Sequence, residues 1–331
     1  MILVTGGAGF IGSNFIATWL AERDEPVVNL DALTYAGRPI NLRDCTQHPA
    51  YRFIKVDLRN ADLKTLLRTL KPRAVIHFAA ESHVDRSIAS PEVFVETNVL
   101  GTCRLLEAAL AYRESLSGNT AEDFRFINIS TDEVYGSLPV DARPATEAAP
   151  FCPMNPYSAS KAAADQFGRA YANTYGLPVI TLRCTNNFGP RQYPEKLIPF
   201  MIRRAQTGRT LPLYGDGRQT REWIYVEDFC SAIRAALDGA RPGAVYNVGS
   251  GVELSNLAVV QKIAAALSPR LGRDVAADIV FVADRPGHDR RYALDAGAIT
   301  RDLGWRPTRD VEQALAHTID WYVSTPGALE L

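Results

Sequence analysis

Through the first 180 residues, short runs of β-branched and apolar residues alternate with longer stretches whose apolar positions recur at helical spacing. The runs predict strands near 2–5, 27–30, 52–56, 74–78, 124–129 and 178–183, and the stretches between them predict helices near 10–22, 61–70, 91–112 and 156–175. Alternation of strand and helix predicts an α/β fold, a doubly wound parallel sheet of Rossmann type with helices on both faces. After Arg183 the pattern loosens, with punctuation at Gly189-Pro190, Pro194, Gly208, Gly215-Asp216-Gly217 and Pro242-Gly243. A smaller domain is expected from there, dividing the chain into 1–185 and 186–331. One further strand-like run, Val245-Tyr246-Asn247-Val248, is expected to return to the main sheet near 244–249, so the C-terminal domain is interleaved rather than a separate block.

Composition narrows the partners. Lys and Arg total 36 against 37 Asp and Glu in 331 residues, a net charge of −1, which leaves no global basic field for nucleic acid or a membrane surface. Apolar residues at 47% and charged residues at 22% are ordinary for a globular chain and exclude extended disorder. The five cysteines stand at least 32 positions apart, with no C-x-x-C pair for zinc or redox chemistry, and read mostly as buried thiols in a reducing compartment. No metal site is expected. The start Met1-Ile2-Leu3-Val4-Thr5 lacks a basic leader, and no apolar run approaches the ~20 residues of a membrane span, so the expected location is the cytoplasm. Only 6 of the 36 basic residues are Lys, so a Lys inside a chemical motif calls for a reason that Arg would not satisfy.

The first such motif is a glycine loop. Thr5-Gly6-Gly7-Ala8-Gly9-Phe10-Ile11-Gly12 follows the first strand and opens the first helix, matching G-x-G-x-x-G through Gly7, Gly9 and Gly12. A tight turn, the lack of a Cβ where pyrophosphate meets backbone, and N–H groups at a positive helix end are what dinucleotide binding requires. The next strand ends in Asp31, 19 positions beyond Gly12, where a carboxylate bonds both adenosine ribose hydroxyls and repels a 2′-phosphate; NAD is therefore favoured over NADP. Two more strand ends, Val56-Asp57-Leu58 and His77-Phe78-Ala79-Ala80-Glu81-Ser82, fall on the side where ligands bind in such sheets. Asp57 there reads equally as an adenine contact and as an ordinary strand terminus.

Two further segments carry reactive groups. Tyr157-Ser158-Ala159-Ser160-Lys161 begins a helix, and the i, i+4 spacing puts Tyr157 and Lys161 on one face about a turn apart. An adjacent ammonium favours the phenolate, which makes Tyr157 the candidate base, with Lys161 lowering its pKa and reaching the nicotinamide ribose as a compact charge. Ser130-Thr131-Asp132-Glu133-Val134-Tyr135-Gly136 follows the fifth strand. Two adjacent carboxyls can take unlike environments, one protonated as an acid and one ionised as a base, chemistry that an oxidation alone does not need. The same segment also reads as a helix N-cap.

Together these motifs resemble the extended short-chain dehydrogenase/reductases, the NAD-dependent epimerase/dehydratase family, and within it the dTDP-glucose 4,6-dehydratases. The glycine loop, Tyr157 with Lys161, and the strand ends cover roughly the first 190 residues and are shared with epimerases and decarboxylases; the discriminating piece is Thr131-Asp132-Glu133. The resemblance implies that Thr131 bonds the sugar 4-oxygen, Asp132 protonates the departing 6-hydroxyl and Glu133 takes the C5 proton. It implies cofactor contacts at Gly6, Gly7, Gly9, Phe10, Ile11, Gly12, Asp31, Ala32, Leu33, Thr34, Asp57, Leu58, Ala79, Ala80, Thr97 and Asn187. Substrate contacts are implied at Ser82, Asn186, Lys196, Leu197, Pro212, Tyr214, Arg221, Asn256, Arg285 and His288. The substrate implied is dTDP-glucose or a related nucleotide-sugar, the product a 4-keto-6-deoxy sugar for deoxysugar biosynthesis, and the assembly a homodimer through helices 91–112 and 156–175.

Arginine forks suit phosphate oxygens and an aromatic such as Tyr214 can stack on a base, so the chemistry of the second domain agrees. Arg218, Arg290 and Arg291 are read instead as solvated surface charges. His83 reads equally as facing the pocket and as packed, and Phe188 stands where the family frequently has tyrosine. The alternatives are a 4-epimerase or decarboxylase acting on a UDP-sugar, and an inactive NAD-binding sensor.

Overall fold

The computed structural model describes residues 1–330. Six strands follow the predicted order: β1 (Ile2–Thr5), β2 (Val27–Asp31), β3 (Tyr51–Lys55), β4 (Ala74–His77), β5 (Arg125–Thr131) and β6 (Val179–Cys184). The helices of this half are α1 (Phe10–Glu22), α2 (Leu63–Leu70), α3 (Val84–Ala89), α4 (Pro91–Phe94), α5 (Thr102–Glu114), α6 (Asn119–Asp123) and α7 (Pro156–Tyr175). Beyond them come β7 (Asn186–Phe188), α8 (Leu197–Gln206), β8 (Leu211–Tyr214), β9 (Thr220–Tyr225), α9 (Val226–Gly239), β10 (Val245–Val248) and β11 (Glu253–Ser255). The chain closes with α10 (Asn256–Leu271), β12 (Ile279–Val282), α11 (Gly297–Leu303) and α12 (Val311–Ser324).

Seven strands form one parallel sheet in the order β10-β6-β5-β4-β1-β2-β3, so the run 245–248 does return to the main sheet, beside β6. Successive residues of β1 serve opposite faces: Ile2 and Val4 pack with Phe15, Ile16 and Trp19 of α1, while Leu3 packs with Leu105 and Leu106 of α5. Burial on both faces is why the central strands read as largely apolar runs, while the edge strand β3 is largely exposed. The smaller half holds a three-stranded sheet, β11-β9-β7, and a two-stranded one, β12-β8. No helix among the described residues is long and apolar enough to cross a membrane.

Local signals set the helix starts. Asp62 caps α2 by accepting from the Thr65 N–H at 3.1 Å, which explains why the helix begins at 63 rather than 61. Asn155 and Ser158 form a reciprocal capping box at α7, with Pro156 at its first turn. The predicted helix 91–112 runs from 91 to 114 but widens into a π-helical segment at Val95–Gly101 between α4 and α5. That segment carries Thr97 and Asn98. The Asn98 amide donates to the Glu81 carbonyl (2.9 Å) and to Ser160 Oγ (2.8 Å), and its oxygen accepts from the Glu81 N–H (2.8 Å). The wide turn thus ties the loop after β4 to α7, in keeping with the recurrence of π-bulges at functional sites.

Candidate active site

At the switch between β1 and β4, the point where strand order reverses, a cavity opens outside the carboxyl ends of the strands. Gly6 turns with φ +71°, and a Cβ there would stand 2.6 Å from the Ala79 backbone N; a Cβ on Gly12 would stand 2.5 Å from the Gly6 carbonyl oxygen. Gly7 faces away from the cavity, against the side chains of Asn29 and Ile16, and Asn29 accepts from its N–H at 3.0 Å. The loop therefore lies flat on the sheet. Helix α1 begins at Gly9 with no side-chain cap and no acid in its first turn, so its free N–H groups are open to an anion.

Asp31 is 7% exposed, and its carboxylate accepts from the N–H groups of Ala8 and Leu33, each at 2.8 Å. Burial raises its pKa and the two backbone donors oppose the rise. It pins the glycine loop to the end of β2 from the position expected for a ribose contact. Asp57 also borders the cavity, with both oxygens held by Arg59, a bond that keeps its carboxyl below the usual range. Of the candidate cofactor residues, all but Gly7 and Leu33 line the cavity. Buried oxygens of Ser130, Thr185 and Asn187, three of its lining residues, have no hydrogen-bond partner among the described residues. A flat glycine loop, an open helix end and unpartnered polar atoms are the features a bound dinucleotide would use.

All five candidate reactive residues line the same cavity. Thr131 ends β5 and caps a short 3₁₀ turn, Asp132–Tyr135, its Oγ1 accepting from the Glu133 N–H at 3.3 Å, so the N-cap reading describes this segment. The same hydroxyl donates to Asp132 Oδ1 at 3.1 Å, while Asp132 Oδ2 has no partner among the described residues. Burial, and then the neighbouring Glu133, push the Asp132 carboxyl well above its usual value. Glu133 is also raised by burial, but Arg221, Lys196 and Arg285 oppose the rise. Two adjacent acids therefore meet unlike fields, one sequestered and one facing three cations.

The expectation for Tyr157 needs correction. The phenol is not lowered by Lys161: burial raises it, with Glu133, Cys184 and Asp132 adding to the rise. Lys161 Nζ donates to the Ile129 carbonyl at 2.6 Å, and its own pKa falls to about 8 because it is buried. Cys184, which also lines the cavity, is pushed up to about 12 by burial and is an inert thiol.

Among the candidate substrate residues, Ser82, Asn186 and Lys196 line the cavity, and Lys196 Nζ donates to the Ser82 carbonyl at 2.6 Å. Leu197, Pro212, Tyr214, Arg221, Asn256, Arg285 and His288 do not line it. Tyr214 and Arg285 both reach Asp85 of α3, at 3.4 and 3.2 Å, and His288 pairs with Asp284 at 2.6 Å. Arg221 lies over the Tyr292 ring, and Asn256 opens α10. His83 takes the packed reading: its Nδ1 caps α3 by accepting from the Arg86 N–H, and burial lowers its pKa to about 4, leaving it neutral. Arg291 is not a solvated charge. It is 8% exposed, forks onto Glu253 at 2.6 and 2.7 Å and donates to the Ala142 carbonyl. Arg290 pairs with Asp216 at the surface. Of the five cysteines, Cys45, Cys184 and Cys230 are buried, Cys103 is half-buried and Cys152 exposed.

A seven-stranded parallel sheet with a glycine-rich first turn, and a helix carrying Tyr157 and Lys161 beside it, define an extended short-chain dehydrogenase/reductase. The family model described as GDP-mannose 4,6 dehydratase matches residues 3–318. The chain is 50% identical over 327 residues to the dTDP-glucose 4,6-dehydratase of Xanthomonas campestris pv. campestris (strain B100), covering 97% of this chain and 93% of that one. The crystal structure of DesIV, a dTDP-glucose 4,6-dehydratase from Streptomyces venezuelae with NAD bound, is 46% identical with a TM-score of 0.90, covering 99% of this chain and 98% of that one. The UDP-glucose 4-epimerase of Thermus thermophilus, solved with NAD, is 31% identical with a TM-score of 0.85, covering 98% and 99%. The chain belongs to the NAD-dependent epimerase/dehydratase family, in its dTDP-glucose 4,6-dehydratase branch.

Proposed function

We propose that this chain converts dTDP-glucose to dTDP-4-keto-6-deoxyglucose and water, as an NAD-dependent hydro-lyase. The observation that carries the reading beyond the family's shared chemistry is the acid pair: Asp132 sequestered with its carboxyl pushed well above the usual range by burial and Glu133, and Glu133 beside it under the field of Arg221, Lys196 and Arg285. The glycine loop, Asp31 and the unpartnered oxygens of Ser130, Thr185 and Asn187 would hold the cofactor. When bound, NAD supplies the acceptor that takes a hydride from sugar C4 and returns it at C6.

The chain's own residues move the protons. Tyr157 accepts the proton of the 4-hydroxyl, with Thr131 bonding the same oxygen and Lys161 holding positive charge beneath it. The resulting C4 ketone acidifies the C5–H, which Glu133 removes. Asp132 gives its proton to the departing 6-hydroxyl, so the leaving group is water. Glu133 then returns the proton to C5, and the proton taken up by Tyr157 is released to solvent as Asp132 regains one from it, so the sum is the keto sugar plus one water. Residues 1–185, with the strand at 245–248, form the cofactor part in this reading, and 186–331 supply Asn186, Lys196, Arg221 and Arg285 toward the nucleotide and diphosphate.

Incubation with dTDP-, UDP-, CDP- and GDP-glucose, followed by mass measurement, tests the function. The expected product is lighter by one water, formed fastest from the dTDP sugar; an unchanged mass with an inverted C4 would indicate an epimerase, and an unaltered sugar an inactive NAD-binding protein.

Exposed apolar side chains on the two expected interface helices, Val95 at 55%, Leu100 at 48% and Phe167 at 38%, support a homodimer. Sedimentation should give twice the 36.3 kDa chain mass, and a monomer at micromolar concentration would refute the dimer. The reading places the enzyme in the cytoplasm.

A further inference from the structure

Arg183 of β6 is 2% exposed, and its charge has no part in the proton steps above. Its Nε and Nη2 donate to the two carboxylate oxygens of Asp165, each at 2.9 Å, and its Nη1 donates to Tyr135 Oη at 2.7 Å and to the Glu147 carbonyl at 3.1 Å. Tyr135 Oη donates onward to Asn247 Oδ1 at 2.8 Å, and the Asn247 amide donates to the Ala145 carbonyl at 2.8 Å. The guanidinium also packs over the Phe151 ring, 4.6 Å from its centroid. A buried ion pair is weak evidence for stability, because desolvation offsets much of the attraction. What this pair does is geometric.

The residues it joins are those that carry the reacting groups. In the sheet register Ser130, Arg183 and Asn247 form one row across β5, β6 and β10. The next row toward the carboxyl edge is Thr131, Cys184 and Val248, at the level of the cavity. Asp165 lies one helical turn after Lys161 on α7. Tyr135 is the last residue of the 3₁₀ turn that begins at Asp132. Arg183 is therefore bonded at once to the helix bearing Tyr157 and Lys161 and to the turn bearing Asp132 and Glu133. The two links differ. The bidentate pair with Asp165 fixes the helix to the sheet, and the single Tyr135 hydroxyl fixes the turn.

We propose that Arg183 and Tyr135 are positioning residues that hold the Asp132–Glu133 turn in register with α7, so that the groups that eliminate water meet the same sugar that Tyr157 oxidises. The proposal rests on the dehydratase reading given above. Tyr135→Phe removes one oxygen and leaves the Arg183–Asp165 pair intact, so the turn loosens while the helix stays. Misplacement of about 1 Å can cost on the order of 10²-fold in rate.

The test compares wild type and Tyr135→Phe on dTDP-glucose, following the near-ultraviolet absorbance of reduced nicotinamide and the mass of the sugar product. The expected result is a kcat lower by roughly 10- to 100-fold with KM changed by less than about 3-fold, and reduced nicotinamide accumulating during turnover because oxidation outpaces water loss. Should Tyr135→Phe lose its fold, Arg183→Lys, which keeps a cation beside Asp165 but removes from the other end of the same bond the fork that reaches Tyr135, carries the comparison with the same expectation. Turnover like wild type, or oxidation and water loss slowed by one common factor, overturns the proposal while leaving the function intact. A wild-type enzyme that yields no dehydrated product overturns the function instead.

Discussion

Asp132→Asn is expected to lower formation of the dehydrated product by about 10²- to 10⁴-fold, the usual contribution of a general acid, while oxidation at C4 proceeds within a few-fold of wild type. Asparagine keeps the volume and can still accept from Thr131 Oγ1, the one hydrogen bond that Asp132 makes through its side chain. It has no proton to give to the departing hydroxyl. Bound reduced nicotinamide should therefore build up after mixing with dTDP-glucose and decay slowly. The same change should stabilise the protein at neutral pH. The folded-state pKa of Asp132 is raised by burial and by Glu133, so the native state retains a proton that the unfolded chain releases near its ordinary value of about 4. The stability associated with that proton is full below the unfolded pKa and is lost as pH rises toward the folded one. The substituted amide does not titrate and escapes that loss. Thermal melts should thus nearly coincide at about pH 4 and diverge by about pH 8, the variant melting several degrees higher. A variant with wild-type turnover would remove Asp132 from the reaction, and one that melts lower at neutral pH would show that its carboxylate is not held under strain.

The main sheet is legible in the sequence because its central strands are buried on both faces, which gives largely apolar runs such as Ile2-Leu3-Val4 and Val27-Val28-Asn29-Leu30 that are too short for a helix. The reactive residues are legible for a different reason. Gly6, Asp31, Thr131 and Tyr157 sit at element boundaries, where turn and capping chemistry leave a local mark. What escapes is set by partners far along the chain. β7 and β11 are three residues each, too short for a period, and exist because β9 lies between them. Arg291 reads as one of two adjacent surface arginines until Glu253, 38 positions earlier, closes a fork around it. Asn98 looks like a polar interruption in an apolar helix, and only the π segment turns it toward Glu81 and Ser160. The i, i+4 spacing of Tyr157 and Lys161 is visible, but the burial of both and the nearness of two acids are not, so the spacing alone misstates the field at the phenol.

That field makes Tyr157→Phe the complementary experiment. Loss of the hydroxyl is expected to lower C4 oxidation itself by about 10²- to 10⁴-fold, the range for a positioned base, with no reduced nicotinamide at any stage and with substrate affinity retained. Asp132→Asn stalls the reaction after oxidation, Tyr157→Phe before it, and the two variants should be separable by that absorbance alone. The pH dependence of wild-type oxidation follows from the same groups. Burial and the neighbouring Glu133 keep the phenol protonated at neutral pH, so the phenolate fraction and the oxidation rate should climb with pH. Lys161, lowered to about 8 by burial, loses its charge on the alkaline side, and with it the positive charge held beneath the 4-oxygen in the proposed mechanism. The rate should therefore rise to a maximum near about pH 8 and then flatten or fall. An oxidation rate independent of pH across this range, or substantial reduced nicotinamide in Tyr157→Phe, would take the role of base away from Tyr157.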